Sequence, residues 1–525
     1  MRLNIAQHCL LRHARDASRA DKTALIFTAE DGREQTFTYR QLAEHVDALA
    51  GALLRRGLTP GDRVLIRLPN CAAYAVAFFG AMRAGLIPVP SSAMLTAEEV
   101  DFLLRDAGAR AIIGSPELLS PLWETLARPP ELRLAVVDGE DESFLPSGLE
   151  RADFRAMLDE TGAVNLPDVG DEDSAYLIYT SGTTDHPKGV LHAHRSLMGR
   201  ATVVREWEGL VEDDRVCHAG ALNWTYTLGV GLMDPWSVGA TAILYAGQKD
   251  PAVWPGLIER HRVTVFAAVP TVYRQILKYA DVESFDLSSL RHGLTAGEAL
   301  PVGVYDEWKR RAGCELYEAL GMTEISTYIS FKPGMTVKPG ACGVPQAGRP
   351  IRLIGRDDLH EVPPGEVGRI AVRRDDPGLM LRYWNRAEEE LGHFEGEWFV
   401  GGDLARADED GVWWYQGRDD DVMTSFGYRV SPQEVEHILA THPTVAECAV
   451  TMVPTGREGI AVMTAFVKLA DGATFNDGVL STHCHAHLAD YKCPKAFRQV
   501  DALPRTRNGK VKRAELLSPE QSREL

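Results

Sequence analysis

The chain has 525 residues, 45% of them hydrophobic and 25% charged, and its 56 Lys and Arg against 74 Asp and Glu leave a formal net charge of −18. That composition excludes disordered, collagenous and disulfide-stapled classes, and the acidic balance excludes non-specific nucleic-acid binding and a basic membrane-surface protein, both of which need clustered positive charge. Single cores stop growing at roughly 250–300 residues, so at least two folding units are expected. The eight cysteines have no paired spacings, the usage of a reducing, cytoplasmic compartment. The amino terminus carries Arg2, Arg12 and Arg15 with no apolar segment of signal-peptide length, and the most apolar run, Cys71 to Met82, falls short of the roughly 18 residues that span a membrane.

In chain order, Thr38 and Gln41 stand in capping-box spacing ahead of Leu42, Val46, Leu49 and Leu53, which predicts a helix that Gly57 and Pro60 stop. Val64–Ile66, Ile87–Val89 and Ala111–Gly114 read as strands, with helices over Ala72–Ala84 and Thr96–Asp106 between them. The alternation resumes with strands at Ala240–Tyr245, Val263–Val269 and Leu290–Thr295 and helices at Pro251–His261, Thr271–Ala280 and Pro301–Ala312. Such alternation predicts an α/β fold of parallel-rich sheets flanked by helices. Beyond about residue 340 the pattern turns to Gly-rich turns and short β-like runs at Ile351–Ile354, Gly368–Val372 and Gly411–Tyr415, a β-rich subdomain. After the charge cluster that follows Gly417, the remainder reads as a small α+β domain, with the boundary placed at Asp420: 1–419 and 420–525.

The first segment with clear chemistry is Tyr179-Thr-Ser-Gly-Thr-Thr-Asp-His-Pro-Lys-Gly-Val190, a hydroxyl- and glycine-rich loop with one lysine, directly after the apolar run Ala175–Ile178. Hydroxyls and free N–H groups bond phosphate oxygens and the ammonium neutralises charge, so this is a phosphate cradle. It is not a Walker P-loop, because Pro187 precedes Lys188 and no Ser or Thr follows it. A polar surface loop would account for the composition but not for the strand leading into it.

This segment resembles the phosphate loop of the adenylate-forming superfamily, and five further motifs appear in that superfamily's order. They are Thr295-Ala-Gly-Glu-Ala-Leu300, Tyr317-Glu-Ala-Leu-Gly-Met-Thr-Glu324, Trp398-Phe-Val-Gly-Gly-Asp403, the hinge segment Gly417-Arg-Asp-Asp-Asp421 with Gly427-Tyr-Arg429, and Pro504-Arg-Thr-Arg-Asn-Gly-Lys-Val511. The resemblance runs from about Thr38 to Leu516 and points to short/medium-chain or aromatic acid CoA ligases.

The resemblance implies ATP and AMP contacts at Thr180, Ser181, Gly182, Thr183, Thr184, Lys188, Gly297, Glu298, Ala299, Glu318, Ala319, Leu320, Thr323, Asp403, Arg418 and Arg429. Catalytic roles fall to Lys510, Thr323, Glu324 and Arg418, with Mg²⁺ held at Glu324, a hard cation on an oxygen ligand. Gly427 and Tyr428 are expected beside coenzyme A, and Asp420 at a hinge about which the small domain swings between half-reactions. The acyl pocket is expected at Asn223, Trp224, Tyr226, Thr227, Ala296, Gly321 and Met322; acetate-restricted members carry tryptophan where Gly321 stands, so glycine is expected to leave room for a medium-chain or aromatic acid.

The implied activity is ATP-dependent acyl-CoA synthesis with release of AMP and pyrophosphate. Two alternatives stand beside it: an enzyme that adenylates an acid and loads a separate carrier protein, and a degenerate nucleotide-binding regulator. The partners expected are a carboxylic acid, ATP and coenzyme A, without nucleic acid or a membrane span, and a homodimer is an assembly open to the chain. One position departs from the superfamily, Asp185, where glycine is usual, so a carboxylate is set in a loop that approaches a triphosphate. His483-Cys-His-Ala-His487 has histidines at helical spacing, and it reads better as an exposed helix face than as a metal site.

Overall fold

The computed structural model describes residues 3–140, 143–162, 164–180, 187–247, 250–298, 300–355, 358–418, 423–425, 428–430, 432–455, 461–470 and 472–504, together with 511, 513 and 516. Contacts divide the chain into two compact units. The larger comprises Met1–Ala93, Val100–Tyr179 and Gly189–Gln416; the smaller comprises Gly417–Leu525 with the segments Met94–Glu99 and Thr180–Lys188.

The larger unit is built on two big sheets. One has five parallel strands in the order Ile87–Pro90, Arg63–Arg67, Ala111–Gly114, Leu134–Val137 and Glu150–Asp153. The other has nine: Val344–Pro345, Ser326–Ser330, Glu315–Met322, His292–Ala296, Val265–Ala268, Arg215–His218, Thr241–Ala246, Thr23–Ala29 and Glu34–Thr38. Its six central strands are parallel, and both margins close with antiparallel hairpin partners.

Helix Tyr39–Arg55 begins at Thr38, which accepts from the Gln41 amide while the Gln41 side chain accepts from the Thr38 amide, and Leu42, Val46, Leu49 and Leu53 are buried along it. Its neighbour Ala72–Arg83 is apolar all round because it is enclosed all round. Both helices share one core with Ile66, Ile113 and Val136 of the five-stranded sheet and Leu25 and Leu244 of the nine-stranded sheet. The 12-residue length of Ala72–Arg83 and this burial make it a core helix, and no described helix is long and apolar enough to cross a membrane.

The β-rich part is an antiparallel sheet of Ile351–Ile354, Val367–Arg373, Trp398–Ala407 and Phe394–Glu395, with Trp413–Arg418 on the Trp398–Ala407 strand. A separate three-stranded sheet joins Ser174–Thr180, Lys188–Ala193 and Arg382–Tyr383. In the smaller unit, strands Val445–Pro454, Ala461–Leu469 and Ala496–Gln499 form one sheet, packed with helices Pro432–Ala440 and Asp477–His487.

The chain pattern does not announce the single π-helical turns at Val204–Glu208 and Gly229–Met233. At the second, a Cβ on Gly229 would overlap the Arg200 guanidinium, so the glycine lets that side chain pass across the helix. Arg200 Nε donates to Asp234 Oδ1 at 2.6 Å, Nη2 pairs with Oδ2, and Nη1 donates to Ser326 Oγ at 2.6 Å. Burial and the nearby Asp234 carboxylate hold the fully enclosed Glu208 well above the usual carboxylate range.

Candidate active site

Parallel pairing of His292–Ala296 with Glu315–Met322, in the register Thr295↔Glu318 and Ala296↔Ala319, puts the Gly297–Glu298 loop beside the strand that carries Glu318, Ala319, Leu320, Gly321 and Met322. The Leu300 amide closes that loop by donating to Glu318 Oε1 at 3.2 Å. Glu298 accepts from Thr271 Oγ1 at 2.7 Å. From the β-rich sheet, Asp403 is buried on the Trp398–Ala407 strand and accepts from the Tyr415 hydroxyl at 3.2 Å. Gly401, two residues before it, lets Met322 come against the same strand, since a Cβ there would lie 2.8 Å from Met322 Sδ. The Cys342 thiol, driven up by burial, also feels both the Glu318 and Asp403 carboxylates, so the two acids share one neighbourhood.

Burial raises the Glu318 pKa to about 8, against a small opposing pull from the Leu300 amide. The folded protein therefore holds a proton that the unfolded chain, near 4.5, has released, and stability falls as pH rises between those values and levels off above about 8. We expect Glu318→Gln, which keeps the size but cannot ionise, to flatten that decline; urea unfolding across this pH range measures it, and an unchanged slope would assign the proton elsewhere.

Thr323 and Glu324 occupy the hairpin turn between Glu315–Met322 and Ser326–Ser330, and the turn is held from several sides. His192 Nε2 donates to the Thr323 carbonyl at 2.9 Å, its ring stacked on Tyr176 at 4.7 Å and kept neutral by burial, with a pKa down to about 4. The Met380 amide donates to the Glu324 carbonyl at 2.7 Å and the Tyr383 hydroxyl to Glu324 Oε1 at 2.7 Å. Ser326, at φ 70, is braced by Arg200, and the next carbonyl, Thr327, by Arg349 Nη1 at 2.8 Å. His192, Arg200, Tyr383 and Arg349 were not assigned to the site from the sequence, because each acts on the turn from a distant segment; for His192 and Arg200 the signal available was an imidazole or a charge in a largely apolar stretch.

The expected acyl residues also come together in part. Asn223 and Trp224 precede a short helix, Thr225–Leu228, that carries Tyr226 and Thr227. Trp224 meets Tyr226 edge-on at 5.6 Å and lies against Gly297, whose added Cβ would sit 2.6 Å from the indole. Gly297 is at φ 92, a left-handed backbone that costs other residues about 1–2 kcal/mol. We expect Gly297→Ala to lower kcat/KM for the acid by about tenfold or more, the equivalent of ~1.4 kcal/mol, with quenching or release of Trp224 fluorescence as the structural readout.

Gly321 lies on the same hairpin. A Cβ there would lie 2.7 Å from the Ser326 carbonyl oxygen and 2.9 Å from Thr327 Cα, at the point where the register of the hairpin shifts. Its missing side chain admits the neighbouring backbone.

Thr180 ends strand Ser174–Thr180 and the buried Lys188 begins Lys188–Ala193. Tyr428 stacks on Tyr491 at 4.2 Å within the smaller unit. Ser181, Gly182, Thr183, Thr184, Asp185, Ala299, Asp420, Gly427 and Lys510, with the side chains of Arg418 and Arg429, lie outside the described residues. In helix Asp477–His487, Cys484 is buried and His483 Nε2 lies 3.0 Å from the Ile438 carbonyl; no cluster of three metal-ligating side chains occurs among the described residues.

A parallel-rich α/β unit whose sheet ends gather buried acids beside a Thr-Glu turn, followed by a small α/β unit, defines a class. The profile of the AMP-binding enzymes matches residues 12–384, and that of the AMP-binding enzyme C-terminal domain matches 434–510. The chain belongs to the AMP-binding enzyme family. It is 34% identical over 513 residues to the benzoate–CoA ligase of Thauera aromatica, covering 96% of this chain and 93% of that protein. It is 30% identical over 504 residues to the 3-hydroxybenzoate–CoA ligase of Aromatoleum sp. (strain CIB), covering 95% and 93%. Among solved structures, a benzoate CoA ligase from Burkholderia xenovorans superposes with a TM-score of 0.70 at 31% identity, over 98% of this chain and 100% of that one. The activity class is that of an acid–thiol ligase, with an acid, ATP and coenzyme A as reactants.

Proposed function

We propose that this protein is an AMP-forming acid–CoA ligase for a medium-chain or aromatic carboxylic acid. The observation that carries the reading is the assembly of Glu318, Asp403 and the Thr323–Glu324 turn around one neighbourhood, beside the Gly297 loop against which Trp224 packs. In the first step the acid's carboxylate, ionised at neutral pH, attacks the α-phosphorus of ATP, the bond to pyrophosphate breaks, and an acyl-adenylate forms. Glu318 and the Gly297–Leu320 surroundings hold adenine, Asp403 accepts from the ribose hydroxyls, and Thr323 donates to phosphate. Thr180 to Thr184 with Lys188, and Arg418 and Arg429, meet the polyphosphate, and Lys510 offsets the charge that gathers on the pentacoordinate phosphorus. The half-buried Glu324 carboxylate beside the Thr323 hydroxyl offers oxygen ligands suited to Mg²⁺, which would neutralise phosphate charge.

In the second step the sulfur of coenzyme A attacks the acyl carbonyl, the bond to the adenylate oxygen breaks, and AMP leaves. Gly427 and Tyr428 face the pantetheine, after a turn about Asp420 between domains 1–419 and 420–525. The acyl residues are Asn223, Trp224, Tyr226, Thr227, Ala296, Gly321 and Met322. We place the protein in the cytoplasm, in keeping with eight cysteines none of which is paired, and propose a homodimer, which light scattering tests.

Pyrophosphate exchange into ATP, run across a panel of benzoates and medium-chain acids, tests the reading: acid-dependent exchange is expected, and its absence with every acid would favour the degenerate nucleotide-binding alternative. In the same assay Asp185→Gly is expected to lower KM for ATP, by removing a carboxylate from beside the triphosphate. An unchanged KM would show that the loop keeps that charge away from the phosphates.

A further inference from the structure

The strand Arg215–His218 delivers His218 to the end of the nine-stranded sheet, and the side chain is buried with only 1% exposure. The Gly220 amide donates to its Nδ1 at 2.9 Å, which leaves the proton of the neutral ring on Nε2. Nε2 has no hydrogen-bond partner, and neither has the hydroxyl of Thr227, which is fully buried. These two polar groups are neighbours. A Cβ on Gly220 would overlap Thr227 Oγ1 and lie 2.8 Å from His218 Cε1, and a Cβ on Gly231 would lie 3.3 Å from His218 Cβ and 3.6 Å from Thr227 Cγ2. Gly220 thus stands between them without a side chain, in a half-buried stretch whose carbonyl accepts from Asn70 Nδ2 at 2.8 Å.

The pair adjoins the expected acyl residues. The His218 ring meets Tyr226 edge-on at 4.3 Å, Tyr226 meets Trp224 at 5.6 Å, and Trp224 borders Gly297. Burying an imidazole N–H and a hydroxyl without partners costs on the order of 1–3 kcal/mol for each group, so a ligand group that answers both recovers that cost.

We propose that His218 Nε2 and Thr227 Oγ1 form a polar subsite of the acyl pocket that selects an acid bearing an uncharged hydroxyl away from its reacting carboxylate. This rests on the acid–CoA ligase reading and narrows it. The chemistry is directional: Nε2–H can only donate, while the threonine hydroxyl both donates and accepts, so a substrate hydroxyl accepts from His218 and exchanges a second hydrogen bond with Thr227. A second carboxylate finds no cation here, since burial alone carries the His218 pKa down to about 3 and the ring stays neutral. An ammonium finds at His218 a donor where it needs an acceptor. A plain hydrocarbon leaves both polar groups unanswered.

The test is a comparison of kcat/KM for matched acids: benzoate against its monohydroxy isomers, and a medium-chain acid against its hydroxylated counterparts. The wild-type enzyme should prefer one hydroxy acid over its parent by about 10²-fold or more, the scale on which sites built for a substrate hydroxyl discriminate. In His218→Leu and, independently, in Thr227→Val, that ratio should fall at least tenfold. Because Thr227→Val nearly preserves volume, it keeps the test open if the histidine variant does not fold, and thermal transitions establish which variants are folded. Acid-dependent adenylation without any hydroxy preference, or a preference that both folded variants retain, overturns the subsite and leaves the ligase reading standing; adenylation with no acid at all removes both.

Discussion

Replacing Lys510 by alanine is expected to lower acyl-adenylate formation by about 10²–10³-fold, the usual cost of removing one group aimed at developing charge, while transfer from a preformed acyl-adenylate to coenzyme A stays close to wild type. The split follows from the chemistry of the two steps. Phosphoryl attack collects negative charge at phosphorus, where an ammonium is worth most. Thioester formation breaks a carbonyl–oxygen bond whose leaving group, AMP, departs without further help at the α-phosphate. Single-turnover pyrophosphate release measures the first step, and thioester formation from synthetic adenylate measures the second. Equal losses in both would mean that Lys510 serves general stability or binding of AMP, and the two-conformation account about Asp420 would go with it.

The second large effect belongs to a residue remote from any phosphate. Asp234→Ala leaves Arg200, with only 4% side-chain exposure, without the carboxylate that pairs with it. Stranding a buried charge in this way costs ~3–5 kcal/mol. Because Arg200 also holds Ser326 at its left-handed turn, the variant should lose adenylation rate in addition to melting earlier. Replacing both partners with Arg200→Met and Asp234→Leu should restore much of the melting temperature, since apolar side chains of similar volume need no counter-charge. It should not restore the rate, because methionine cannot donate to Ser326. Recovery of both together would show that the pair contributes nothing to the Thr323–Glu324 turn.

The parts of this molecule legible in its sequence are those set by neighbours in sequence. The capping box at Thr38 and Gln41, the enclosed helix Ala72–Arg83 and the strand Ala111–Gly114 follow from local pattern, as do the parallel strands at the centre of the larger sheet. The motif order likewise pointed to the Thr323–Glu324 and Asp403 segments. What stayed hidden depends on contacts across the fold. The close approach of the Ser326 and Thr327 backbone to Gly321 comes from hairpin pairing. Nothing near His218 in sequence announces that its Nε2 is unanswered; this follows from the Gly220 amide taking Nδ1 and from Thr227 folding back onto the same glycine. The Arg200–Asp234 pair is separated by 34 positions and threads past a glycine in a π-helical turn, a geometry that no periodicity encodes.

The central claim is that this chain couples ATP cleavage at the α-phosphate to thioester formation with free coenzyme A. The most direct measurement incubates the purified protein with ATP, Mg²⁺, coenzyme A and a mixture of hydroxylated and plain aromatic and medium-chain acids, and quantifies AMP and acyl-CoA by mass spectrometry. Equimolar AMP and acyl-CoA, both dependent on the acid, is the predicted result. AMP and acyl-adenylate accumulating without acyl-CoA would contradict the claim and assign the protein to carrier loading.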